Sequence, residues 1–182
     1  PATGEGSRLA VAVAPGDGQI EVLVSQDGGA AFRSRDSSAP SSAAVTPRIF
    51  LSASDGYILF ATQGATGTEG STVALSLAWS TSVDGLDWAP FQNFEPNLKL
   101  SFLPVVSHAQ GSRTDLVVFQ SLVAAPGGGS SSYQLFSSLS QDGGETWSEA
   151  ARVTDFQEPA GAALDGPGDF DNERPFLARI GG

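Results

Sequence analysis

The octapeptide Ser140-Gln141-Asp142-Gly143-Gly144-Glu145-Thr146-Trp147 constrains this chain more than any other stretch, because it encodes a strand end, a tight turn and the opening of a second strand, and it recurs. Earlier copies are Ser25-Gln26-Asp27-Gly28-Gly29-Ala30-Ala31-Phe32 and, one residue shorter, Ser82-Val83-Asp84-Gly85-Leu86-Asp87-Trp88. The three aspartates stand 57 and 58 residues apart. Such near-constant spacing marks a repeat architecture, whose units share one fold and stack on each other.

The residue types suit a turn. An aspartate at its start accepts hydrogen bonds from backbone N–H groups just downstream, and serine adds a hydroxyl. The glycines permit positive φ angles. The closing aromatic buries a large apolar area between strands or sheets, worth about 2–3 kcal/mol. All of these roles are structural.

The rest of the chain agrees with a strand-and-turn architecture. Twenty-two glycines, 11 prolines and many serines punctuate short apolar runs, and no segment carries convincing helical periodicity. With 40% hydrophobic residues among 182, the chain can bury a core and build one domain or two small ones. Net charge is −11, with eight arginines and one lysine, Lys99, so phosphate backbones and anionic membranes are repelled and nucleic acid is excluded as an expected partner. The acidity is read as a solvated surface. Absence of cysteine removes disulfides, thiolate zinc sites and cysteine nucleophiles. No run approaches the roughly 20 apolar residues of a membrane span, and no basic-then-apolar signal opens the chain. Beginning at Pro1, it reads as a mature or excised piece.

In order, residues 1–7 are expected to be frayed, and strands follow at Leu9–Ala14, Ile20–Gln26 and from Phe32. After a serine-rich connector at 37–44 come Pro47–Ala53, an Asp55-Gly56 hairpin, Tyr57–Gln63, a loop at 64–71, Val73–Ser82 and a strand opened by Trp88. The same events repeat as Leu103–His108, Asp115–Val123, Tyr133–Gln141 and a strand from Trp147, and Arg174–Ile180 begins another unit. Odd steps back from each aspartate give Val24, Val22 and Ile20; Thr81, Trp79, Leu77 and Leu75; Leu139, Ser137, Leu135 and Tyr133, predicted to face the core. Each full unit holds four strands, giving repeats at 8–45, 46–102 and 103–173, with 174–180 the inner strand of a following one. In this count the first unit lacks its inner strand.

Four-stranded sheets repeated about an axis are β-propeller blades. The octapeptide at 140–147 resembles the Asp box, or bacterial neuraminidase repeat, Ser-x-Asp-x-Gly-x-Thr-Trp, of sialidase-like propellers. It matches every specified position. The first copy lacks the threonine and carries Phe32 for tryptophan, and the second loses one residue. The structural set is Ser25, Asp27, Gly28, Gly29 and Phe32; Ser82, Asp84, Gly85 and Trp88; Ser140, Asp142, Gly143, Gly144, Thr146 and Trp147. The resemblance implies an all-β propeller segment of about three four-stranded blades, half of a six-bladed ring or part of a larger one. Its Asp boxes lie away from the catalytic pocket. Three blades are too few to close a ring, so the expected partners are the remaining blades of a longer chain or a second copy, with a glycan or protein as ligand.

The family's active site would need an arginine cluster, a tyrosine nucleophile with a glutamate, and an acid/base aspartate. Arg48 and Arg174, beside strand prolines, are the nearest ligand-binding candidates, but their order with proline departs from the family pattern. Tyr57 and Tyr133 lack a convincing glutamate, and His108 has no motif partner. No catalytic residue is assigned. Asp169, Asp171 and Glu173 alternate as Ca2+ ligands do, a solvated acidic loop being the favoured reading and no other cofactor being expected. The sequence therefore points to an extracytoplasmic binding or assembly module, secreted, periplasmic or on the cell surface. The alternatives are a fragment of a sialidase-like exo-glycosidase and a structural subunit of a filament or sheath.

Overall fold

The computed structural model describes residues 2–5, 8–14, 19–37, 44–64, 75–94, 98–108, 112–123, 132–154 and 158–159. The strand expected at 174–180, Arg174 itself, and Asp169, Asp171 and Glu173 lie outside the described residues. Among the described residues the protein is all-β, with no helix and three antiparallel sheets.

The first sheet holds β1 (Ala2–Glu5), β2 (Arg8–Val13), β3 (Ile20–Ser25) and β4 (Arg33–Ser37) in that order. The second holds β5 (Ala44–Leu51), β6 (Tyr57–Gly64), β7 (Leu75–Ser82) and β8 (Gln92–Phe94). In the third, β9 (Lys99–His108), β10 (Asp115–Val123) and β11 (Ser132–Ser140) are followed along one edge of β11 by the short β12 (Ala151–Arg152) and β13 (Glu158–Pro159). Every sheet is a meander of neighbouring strands. The first has four strands, contrary to expectation: Ala2–Glu5 pairs with Val11–Arg8, supplying a first strand that its loose composition conceals. The strands expected from Trp88 and Trp147 start later, at Gln92 and Ala151, although the N–H groups of Ala89 and Ser148 already bond back to Thr81 and Leu139 of the preceding strands.

Two prolines account for irregular pairing in β5 and β9. Proline has no N–H to donate to a ladder, and it is tolerated at edges and bulges. The pairing of β5 with β6 slips between Val45 and Arg48, and that of β9 with β10 slips opposite Phe119, so Pro47 and Pro104 fall at the irregularities. Leu103 takes φ 52° there, and Pro104 is fully buried.

The sheets pack face to face. One apolar layer joins Ala10, Ala12, Ile20, Val22 and Val24 of the first sheet to Ile49, Leu51, Tyr57, Leu59 and Ala61 of the second, with Trp88 and Phe91 against it. The other joins Ile58, Phe60, Leu77, Trp79 and Phe94 to Val117, Phe119 and Phe136 of the third, with Trp147 at its margin. Successive residues of β6 therefore serve opposite cores, as the period of a strand requires. This corrects the third register. Gln134, Phe136 and Ser138 are buried, whereas Leu139, expected inside, is 46% exposed, because the described part of the third sheet meets a neighbour on one face only.

Phe60 lies within aromatic contact of Phe50, Phe94 and Trp147 at centroid separations of 6.3, 5.6 and 5.7 Å. Phe60→Ala is expected to cost about 3–5 kcal/mol, from lost burial plus the cavity left behind. A urea titration checks this; a midpoint close to that of the parent protein would contradict it.

Candidate functional site

Each box turn is a clamp built from one hydroxyl and one carboxylate. In the third, Ser140 Oγ donates to Asp142 Oδ1 at 2.8 Å while accepting from the Gly144 N–H at 2.7 Å. Asp142 also accepts from the Thr146 N–H at 2.9 Å and from Thr146 Oγ1 at 2.5 Å. The first turn repeats this with Ser25 to Asp27 at 2.7 Å, the Gly29 N–H to Ser25 Oγ at 2.8 Å and the Ala31 N–H to Asp27 at 3.0 Å. In the shorter second turn, Ser82 donates to Asp84 at 3.1 Å, the Gly85 N–H donates to Ser82 Oγ at 2.8 Å, and the N–H groups of Leu86 and Asp87 donate to Asp84. The missing residue shows in the backbone. Two successive glycines take positive φ in the first and third turns, and only Gly85 does in the second.

Two further serines extend the clamp. Ser80 Oγ donates to the Ala89 carbonyl and Ser138 Oγ to the Ser148 carbonyl, each at 2.6 Å. They tie the strand before the turn to the chain leaving it. Sequence reasoning missed them, although the pattern Ser-x-Ser-x-Asp is visible in both repeats.

These turns also seat each sheet on its predecessor. Trp79 Nε1 of the second sheet donates to the Gly144 carbonyl at 3.0 Å, and a side chain at Gly144 would meet Ile58. One at Gly85 would collide with Val24 of the first sheet, 2.5 Å from the ideal Cβ, so glycine is required there by close approach as well as by its φ of +79°. A second polar knot secures the third sheet. Asp115, fully buried at the start of β10, accepts from the Ala53 N–H at 2.9 Å and from Ser52 Oγ at 3.2 Å, and Ser52 Oγ also lies 2.8 Å from the Gly143 carbonyl. In the equivalent position the second sheet has Tyr57, packed into the first apolar layer, while Arg8 reaches the Asp55 carbonyl and carboxylate at 2.6 and 2.9 Å. Asp55 itself takes φ 65° in its hairpin.

Ionisation separates these acids. Backbone N–H donation from Ala31, then the Ser25 hydroxyl, lowers the Asp27 pKa below its usual value, and the Asp87 and Leu86 N–H groups do the same for Asp84. For Asp142 desolvation pushes upward, but the hydrogen bonds from Thr146 and Ser140 together outweigh it and the pKa is lowered. Asp115 goes the other way, raised by burial against the hydrogen bonds from Ala53 and Ser52. Held as carboxylates, the box aspartates are acceptors rather than proton donors. Burial likewise raises the Tyr57 phenol, whose oxygen is enclosed without a hydrogen-bond partner among the described residues, so it is poorly suited to act as a nucleophile.

Clefts open between successive turns. One of about 290 Å³ lies between the second and third boxes, lined by Ser54, Tyr57, Thr81, Ser82, Asp87, Gly143 and Glu145 among others. Another of about 150 Å³ lies between the first and second and includes Asp27, Arg33, Asp84 and Leu86. The larger offers hydroxyls and carboxylates to a polar ligand, and the smaller offers carboxylates, the Gln26 amide and the Arg33 guanidinium. Arg48 is half-buried on β5, paired across the sheet with Phe60, and lines neither cleft. His108 pairs with Asp115 in the ladder, on a different strand from every box turn. No group of three or more His, Cys, Asp or Glu able to hold a metal ion occurs among the described residues. No protein-family model matches this chain, and a search of curated proteins returns no match.

Opposite pKa directions give opposite acid responses. Asp142 contributes stability that is complete above the unfolded value near 3.8 and is lost as pH falls through its lower folded value. Asp142→Asn should cost about 1 kcal/mol at pH 7 and flatten the acid limb of a stability-versus-pH curve. For Asp115 the penalty exists at neutral pH and is relieved as pH falls through its raised folded value. Asp115→Asn, which keeps an acceptor for the Ala53 N–H, should therefore be tolerated better at pH 7 than Asp115→Ala, by about 1–3 kcal/mol in denaturant titrations. Equal losses for the two variants would count against the knot.

Proposed function

We propose that this chain is a segment of an Asp-box β-propeller of the sialidase-like kind, serving as an extracytoplasmic module that binds a glycan or a glycosylated partner. The observation that carries the reading is that one hydroxyl–carboxylate clamp occurs at the same place in three successive antiparallel sheets and is spent on holding turns. That spacing and chemistry match the box pattern, and sheets stacked through such turns are what blades require.

Binding is favoured over catalysis by the chemistry of the clefts. Glycoside hydrolysis generally needs a proton-donating carboxyl beside a second carboxylate. Asp27 and Asp84, which share the smaller cleft, both have lowered pKa values. The larger cleft instead combines Asp87 and Glu145 with Ser54, Thr81 and Ser82, a lining of acceptors and hydroxyls suited to the hydroxyl groups of a neutral sugar. Its size suits one or two sugar rings, near the lower end of small-ligand pockets.

The test pairs a glycan array with a panel of fluorogenic glycosides that includes a sialoside. Retention of neutral glycans without hydrolysis is expected, with Asp87→Ala and Glu145→Ala each weakening retention about tenfold, one charge-assisted hydrogen bond's worth. Turnover of any glycoside by the parent protein would favour the exo-glycosidase reading instead. Failure to retain any glycan would remove the binding reading.

A further inference from the structure

We propose that the outer face of the third sheet is a docking surface for the first sheet of a second copy of this chain, joined head to tail. The inference rests on reading the chain as stacked box-bearing sheets.

The two internal junctions follow one plan. At each, the face on odd steps from a box aspartate receives the opposite face of the next sheet, and the next sheet's box turn closes over it. Val22 and Val24 receive Tyr57 and Leu59, with Gly85 against Val24 and Trp88 beside the layer. Leu77 and Trp79 receive Val117 and Phe119, with Gly144 against Thr81 and Ile58 and Trp147 against Phe60. Counted back from the aspartates, Val24, Thr81 and Leu139 are equivalent, and Phe32, Trp88 and Trp147 are the aromatics that close the three motifs.

Only the outermost members of these sets are open. Leu139 is 46% exposed and Phe32 45%, and Leu116 and Leu135 beside Leu139, like Leu9 and Val11 beside Phe32, are half-buried. The third sheet thus presents the receiving half of the junction, and the first sheet presents the inserting half.

Box geometry favours a second copy as the occupant. Gly28 and Gly29 take φ +72° and +95°, close to the +81° and +93° of Gly143 and Gly144, the turn already seated on Thr81. A turn of that shape on another copy would meet Leu139 where its twin meets Thr81. Such a contact is heterologous, so two copies close a ring if the rotation allows and otherwise extend a filament. Glu21, half-buried among the inserting residues, adds a carboxylate that the junction must leave at its rim.

The chain has no cysteine, which permits a directional test. Ala30→Cys marks the inserting turn and Leu139→Cys the receiving face. With a short bis-maleimide, a mixture of the two variants should give at least about tenfold more cross-linked dimer than either alone, as a tenfold preference corresponds to one decade in affinity. Sedimentation of the parent protein should show a concentration-dependent multiple of 18.6 kDa. Leu139→Asp and Phe32→Asp should each weaken that association while leaving the circular dichroism and thermal midpoint near those of the parent protein.

An 18.6 kDa species at all concentrations with no mixed cross-link overturns the proposal, and includes the case in which residues 160–182 cover the face themselves. Equal cross-linking within each variant also overturns it, since that indicates like-to-like contact. Either result leaves the box reading intact, because the acid response of Asp142→Asn and the glycan array measure that reading without reference to self-association.

Discussion

The fold depends on keeping a chain reversal rigid where it leaves the sheet. A turn that leaves the strand ladder for several residues strands several peptide N–H groups, and each would cost free energy if buried without an acceptor. Ser140 and Asp142 solve this jointly, the hydroxyl taking one N–H and the carboxylate another, with the hydroxyl proton joining the two side chains. Because the turn is fixed, the residues beyond it arrive in a fixed place. That is how Trp147 comes to lie 5.7 Å, centroid to centroid, from both Phe60 and Phe94 of the sheet before it. A device that satisfies local polar groups thereby sets the spacing between sheets.

The middle sheet shows what that spacing accomplishes. From Tyr57 to Ala61 its β6 has no residue more than 2% exposed, each face feeding a different apolar layer. A strand buried on both sides gains from hydrophobic burial along its whole length and is uniformly apolar as a result. At the rim of the same interface the two junctions diverge chemically. Tyr57 fills one with a ring, whereas Asp115 fills the other with a carboxylate bound to Ser52 and to the Ala53 N–H. A buried charge depends on such partners, and for Asp115 burial, which raises its pKa, outweighs the hydrogen bonds from Ala53 and Ser52.

Much of this was legible in the sequence because it is local. The box turns, the meander order and the Asp55-Gly56 hairpin depend on residues within a few positions of each other, so residue type and spacing disclose them. The first strand of the first sheet was not legible, since Ala2–Glu5 has neither alternation nor bulk and becomes a strand through pairing with Arg8–Val11. The orientation of the third sheet was misread for a related reason. Leu135 and Leu139 are larger than Ser138 and Ser140, and size favoured them as core, but which face is covered depends on the neighbouring sheet rather than on the strand's own pattern. The Ser52–Asp115–Gly143 knot joins residues 63 and 91 positions apart and left no trace in local motifs.

The same distinction bears on where function can reside. Charges engaged by backbone N–H groups are committed to the fold: drawing Asp142 toward a ligand would release the Thr146 N–H and hydroxyl and loosen the turn that seats the third sheet. Asp87 lends its N–H to Asp84 through its backbone, and the residue lines the larger cleft together with Glu145. The turns therefore act as supports: each is held rigid by its own hydroxyl and carboxylate, and the second and third seat their sheets on the one before.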